Sequence, residues 1–194
     1  MVRRVALGCC LAVAAGLCVA AGGTEEKGDG AKISVQVKAP EVVHVGDTGG
    51  WKVTVKNEGK EAIALVKAGD GSDCGWRTPQ VAWLVQLQSE FKKTPAWPEA
   101  REVARCGNIN ALKADEVVDL KAGESMDVGD YLYGLDFPKA GKYVVIFYYK
   151  NEPGMKWLGL PLAEHDAKAM VRVKGSTAVV GHSEAMVVEV VEKK

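Results

Sequence analysis

The chain is poor in the residues that usually announce chemistry. It has three histidines in 194 residues, His44, His165 and His182, and none stands at a metal-ligand spacing from another histidine or a cysteine. No Gly-x-Ser-x-Gly elbow, phosphate-binding loop or dinucleotide fingerprint occurs. Net charge is lacking as well. The 25 basic residues balance 25 acidic ones, which leaves no field to draw nucleic acid or an anionic membrane surface. Amphipathic helical periodicity is nearly missing, so a helical bundle is excluded. No internal repeat or low-complexity tract is present.

The first residues are the most legible. Arg3 and Arg4 form a short positive start, residues 5–21 are apolar or small and uncharged, and Val19, Ala20 and Ala21 precede polar Thr24, Glu25 and Glu26. That layout predicts a secretory signal peptide over 1–21, with cleavage after Ala21 favoured over Ala20. The alternative of a membrane anchor fits less well, because the apolar run is at the short limit for a span and is diluted by glycine. Lipidation is also disfavoured: Cys18 follows Leu17 rather than a small residue, and Cys9 leaves almost no apolar stretch before it. Loss of Arg3 and Arg4 leaves 23 basic residues against 25 acidic ones. The expected location is exported, whether periplasmic, cell-surface or secreted, with no membrane insertion once the signal is gone.

Cysteine is scarce in what remains. Cys9, Cys10 and Cys18 leave with the signal, and only Cys74 and Cys106 stay. Two cysteines in an exported chain predict one disulfide. It would contribute roughly 3–4 kcal/mol by restricting the unfolded chain, less any native strain. A free thiol or a metal pair is the alternative, and it lacks nearby histidines.

What is present is a rhythm of short strands. Residues 22–31 hold Gly, Glu, Lys and Asp and predict a flexible leader. Period-two alternation then predicts strands over 33–37 and 51–56, the latter burying Trp51, Val53 and Val55. A short edge piece is predicted at 42–45. Residues 57–60 predict a hairpin turn, with 62–66 as the returning strand. Further strands are predicted over 81–88, 116–120, 125–128, 142–149 and 185–192. The run over 142–149 is bounded by Pro138 and Gly141 and filled with β-branched and aromatic residues, so it predicts a strand buried on at least one face. Roughly 170 residues organised this way suit one all-β domain over 32–194.

Two stretches break the rhythm. Residues 68–112 surround the 81–88 strand and hold both cysteines, Trp76, Trp97 and three prolines. Residues 151–182 hold Pro153, Gly154, Trp157 and Pro161, with a short helix predicted over 163–169; residues 167–173 read equally as a helix or an extra strand. Long excursions in compact domains tend to be functional or tied down.

Gly141-Lys142-Tyr143 at the start of a late strand resembles the Gly-x-Tyr of immunoglobulin-like sandwiches, whose tyrosine makes a corner with the preceding loop. Asp136 upstream fits the same pattern. Residues 45–59 resemble the second and third strands of bacterial immunoglobulin-like or fibronectin-like modules of exported proteins, and residues 120–124 resemble their late hairpin. Val145 stands where antibody-type domains carry a cysteine, so the likeness is to the wider bacterial group. The resemblance implies an immunoglobulin-like antiparallel β-sandwich with two long insertions. Members of that group serve as adhesion, carbohydrate-associated, assembly or inhibitor modules, and fold does not choose among these.

The candidate site residues follow from the excursions. Trp76, Trp97 and Trp157 are candidate ligand anchors for a protein, peptide or carbohydrate; the competing reading packs them onto the sandwich as a satellite core. Glu164, His165 and Asp166 form the densest polar cluster and read as a solvated loop rather than a metal site. Asp70-Gly71-Ser72-Asp73 lacks the remaining ligands of a calcium loop and reads as a turn. No catalytic residue, cofactor or nucleic-acid partner is expected. The expected function is a non-catalytic binding or accessory module. The alternatives are a protease inhibitor presenting the Cys74–Cys106 loop, and a hydrolase or metal-binding protein whose site sequence does not reveal.

Overall fold

A computed structural model describes residues 31–67, 81–98, 113–128, 135–153 and 167–193. The protein is mostly β. Its strands are β1 (Ile33–Lys38), β2 (Val43–His44), β3 (Lys52–Asn57), β4 (Ile63–Val66), β5 (Val81–Leu87), β6 (Val117–Leu120), β7 (Ser125–Asp127), β8 (Gly141–Asn151), β9 (Val179–His182) and β10 (Met186–Val191). Among the described residues a 3-10 turn (Ala114–Glu116) precedes β6, and a helix, α1 (Ala167–Lys174), precedes β9. Among the described residues no helix is long and apolar enough to cross a membrane. The predicted signal segment, Cys74, Cys106, Trp76, Trp157, residues 70–73 and residues 164–166 lie outside the described residues.

Three sheets form. One has the order β1-β3-β7 and another β2-β10-β8-β5, with β9 also pairing β8; β4 and β6 make a third. Among the described strands all pairs are antiparallel except β2 with β10, which is parallel. Alternation explains the layering. Ile33, Val35, Val53, Val55 and Met126 from the first sheet share one core with Val81, Trp83, Val145, Phe147, Tyr149, Val188 and Val190 from the second. Burying side chains of this size contributes about 1.5–3 kcal/mol each. At one seam the sheets come very close. A Cβ on Gly181 of β9 would meet the Ile33 side chain of β1 at 3.1 Å, tighter than ordinary contact, so Ile33 would have to give way by a few tenths of an ångström.

β8 is the centre. It has β5 on one side and β9 and β10 on the other, and its residues from Tyr143 to Tyr149 are buried on both faces. Tyr143, Val145, Phe147 and Tyr149 face the main core. Val144, Ile146 and Tyr148 face outward, where Leu84, Phe91 and Trp97 cover them. The Tyr143 hydroxyl donates to the Lys139 carbonyl at 3.0 Å, pinning the turn that feeds the strand.

Residues 57–60 are not the hairpin turn that their composition predicts. β4 does not return on β3. β3 pairs β1 and β7, whereas β4 pairs β6. The two ladders continue one another: Lys56 faces Ser125, and after a break Ile63 faces Leu120. Residues 57–62 on one side thus oppose residues 121–124 on the other, a bulge with two extra residues on the first segment. Asn57 holds it together. Its Nδ2 donates to the carbonyls of Glu61 at 2.8 Å and Leu120 at 3.0 Å, and its Oδ1 accepts from Gly59 N–H. For the same reason residues 120–124 are not a hairpin, since β6 and β7 each pair across to the other chain segment. Gly123, at φ 79°, makes the tight turn on that side.

The excursion read as 151–182 is shorter than expected. Its last residues form α1 and β9, and β9 completes the flank of β8 beyond β10. Of the two readings of residues 167–173, helix and extra strand, the helix is the one found, as α1; residues 163–166 of the predicted 163–169 helix lie outside the described residues. Between β9 and β10 the register on β8 shifts by one residue: Tyr148 faces His182, but Val145 faces Met186. Ser183 fills the break, its N–H donating to the Phe147 carbonyl and its Oγ accepting from Phe147 N–H.

Candidate functional site

The C-terminal half of β8 organises one end of the molecule. Successive residues there point to opposite faces, and each ties down a different part of the chain. The Tyr149 hydroxyl, facing inward, donates to the Val66 carbonyl at 2.6 Å. The Tyr148 hydroxyl, facing outward, donates to the Pro95 carbonyl at 2.9 Å. Burial pushes the Tyr148 phenol up to about 12, and burial pushes the Tyr149 phenol up as well. Both are therefore neutral donors, used as struts rather than as acids.

Asn151 ends the strand. Its position after a hydrophobic run reads as a turn, yet it is only 1% exposed. Its Nδ2 donates to Ser176 Oγ at 2.9 Å and to the Thr177 carbonyl at 2.7 Å, while its Oδ1 accepts from Val66 N–H at 3.3 Å. Ser176 Oγ donates in turn to the Val173 carbonyl. Thr177 pairs with Ala64 through both its N–H and its Oγ1. One amide thus locks the end of α1 onto β4 and β8. The helix buries Ala169 and Val173 against Val66 and Val117, and Arg172 reaches Asp119 at 2.9 Å on the surface.

Trp97 stands on the outer side of this end, half-buried. Its ring meets Tyr148 edge to face with centroids 5.7 Å apart. Lys150 Nζ lies 5.7 Å from the Trp97 ring centroid, within cation–π range, and also pairs with Glu152 at 2.7 Å. His182 completes the group, its ring 5.3 Å from that of Tyr148. The carbonyl of Ser183 accepts from His182 Nδ1 at 2.9 Å, which makes Nε2 the acceptor in the neutral ring. Trp97, Lys150, Glu152 and His182 therefore place an aromatic face, an ammonium, a carboxylate and an imidazole on one patch. Of the three tryptophans singled out from sequence, only Trp97 is among the described residues, and it packs against the sheet.

The flanks of the long excursions meet at the same end. Lys67 N–H donates to the Glu116 carbonyl at 2.8 Å, bringing the residue before 68–80 beside the residues that follow 99–112. Val81 pairs with Tyr149, Trp97 packs on Tyr148, and Pro153 follows Asn151 directly after Glu152. α1, which follows 154–166, packs beside the Ala114–Glu116 turn.

The opposite end has a different character. Trp51 stacks on Phe137 at 5.9 Å and meets Trp83 edge to face at 5.6 Å; Phe137 meets Tyr143 at 5.4 Å. The Trp51 indole N–H is the one buried side-chain donor among the described residues without a hydrogen-bond partner. Nearby on the surface, Asp47 receives Lys193 at 2.9 Å and His44 at 3.1 Å. Lys193 first, and His44 after it, hold the Asp47 carboxyl below the usual carboxylate range. Among the described residues no group of three or more His, Cys, Asp or Glu side chains is arranged to hold a metal ion.

Sequence reasoning missed Asn57, Tyr148, Asn151 and Ser183. Their only signal is a polar or hydroxyl-bearing residue set inside or at the end of a strong strand pattern. The chain matches no family model, no curated protein and no solved structure.

Proposed function

We propose that the chain is an exported immunoglobulin-like β-sandwich acting as a non-catalytic binding or accessory module. The ligand, a protein, peptide or carbohydrate, contacts the end of the molecule built on the C-terminal half of β8. The observation that carries this proposal is convergence: the flanks of 68–80, 99–112 and 154–166 come together there, beside the half-exposed Trp97 and the Lys150–Glu152 pair. Loops grouped at one end of a rigid sheet scaffold are where such domains commonly bind.

The immunoglobulin-like part draws on three features. The order β1-β3-β7 facing β2-β10-β8-β5, with a parallel β2–β10 pair, is compatible with a Greek-key sandwich. The Tyr143 hydroxyl bonded to a carbonyl four residues upstream fits a tyrosine corner. Buried Trp83 on β5, packed on Phe147 with centroids 4.7 Å apart, fits the core tryptophan of such folds. A Cys74–Cys106 disulfide would join two excursions whose flanks already lie together.

The test is the mature protein on glycan and peptide arrays, beside Lys150→Ala and Trp97→Phe at the proposed end and His44→Ala at the other. The expected result is binding lost or weakened tenfold by the first two and kept by the third. Equal binding by all four proteins would overturn the location, and no binding on any array would overturn the class of ligand. Inhibition of a serine or cysteine protease at micromolar protein would move the assignment to an inhibitor. Intact mass of the native protein, reduced and unreduced, tests export and the disulfide together; a retained N-terminus or two free thiols would overturn them.

A further inference from the structure

We draw no further inference here: the strongest candidate, the row of exposed valines Val180, Val187 and Val191 on the outer side of β9 and β10, carries nothing because nothing in the structure shows what covers it.

Discussion

The two ends of β8 are held by opposite means. At the Tyr143 end, aromatic rings do the packing, and a buried indole N–H is left without a partner. At the Asn151 end, one side-chain amide is bonded on both its nitrogen and its oxygen, and two tyrosine hydroxyls reach separate carbonyls. Apolar packing is non-directional, so it sets distance but not register. Hydrogen bonds in a buried network fix position as well, and they are costly to leave half-made. The end with the denser set of directional bonds is also the end where the long excursions are rooted. A stiff base is what loops need if they are to present a surface.

The largest expected effect tests that base. Asn151→Ala leaves the Val66 N–H, Ser176 Oγ and the Thr177 carbonyl short of partners and should destabilise by roughly 3–4 kcal/mol. Urea unfolding at constant m-value measures it. A loss below about 1 kcal/mol would show that the network is dispensable and erase the contrast between the ends. Next is Gly181→Ala, where the new methyl presses on Ile33. Forcing a methyl into a close-packed seam should destabilise by roughly 1–3 kcal/mol, and Ile33→Val in the same chain should recover part of it.

A pH titration sharpens the comparison further. Burial raises the Tyr148 phenol to about 12 from an unfolded value of about 10. The stability gained by keeping it neutral is complete below pH 10 and is lost as pH climbs from 10 through about 12. Alkaline unfolding should therefore be steeper in the wild type than in Tyr148→Phe, followed by tyrosinate absorbance near 295 nm. Identical curves would mean that this phenol is not shielded. The smallest effect belongs to the other end. Trp51→Phe loses apolar area but also removes a buried donor that has no acceptor, so stability should stay within about 1 kcal/mol of the wild type. A loss of several kcal/mol would imply that the indole N–H has a partner.

The strand plan was legible because alternation is strong. Trp51, Val53 and Val55 fall on one face as period two requires, and the β-branched run of β8 could be little else. What alternation cannot carry is the destination of each strand. Asn57 to Lys60 has the composition of a hairpin turn, but that composition serves a bulge equally well, and the choice rests on what Ile63 of β4 meets 57 residues later in the chain, at Leu120. β9 escaped notice because Val179, Val180 and Gly181 are too few to make a pattern. The candidate site was harder still. Trp97 stood out by its type, whereas Asn151 looked like an ordinary strand terminator, and only its burial distinguishes it.

The one-residue break at Ser183 sets the frame in which β10 is read. Val187, Val188, Val190 and Val191 supply valine in both phases, so hydrophobicity alone does not say which pair belongs inside. In the observed phase Val188 and Val190 face the core and Glu189 faces water. Advancing the strand by one residue would exchange the valines at little loss, but it would carry the Glu189 carboxylate into the apolar interior, where an unpaired charge is not tolerated. A single acidic residue acts as the punctuation of an otherwise ambiguous strand.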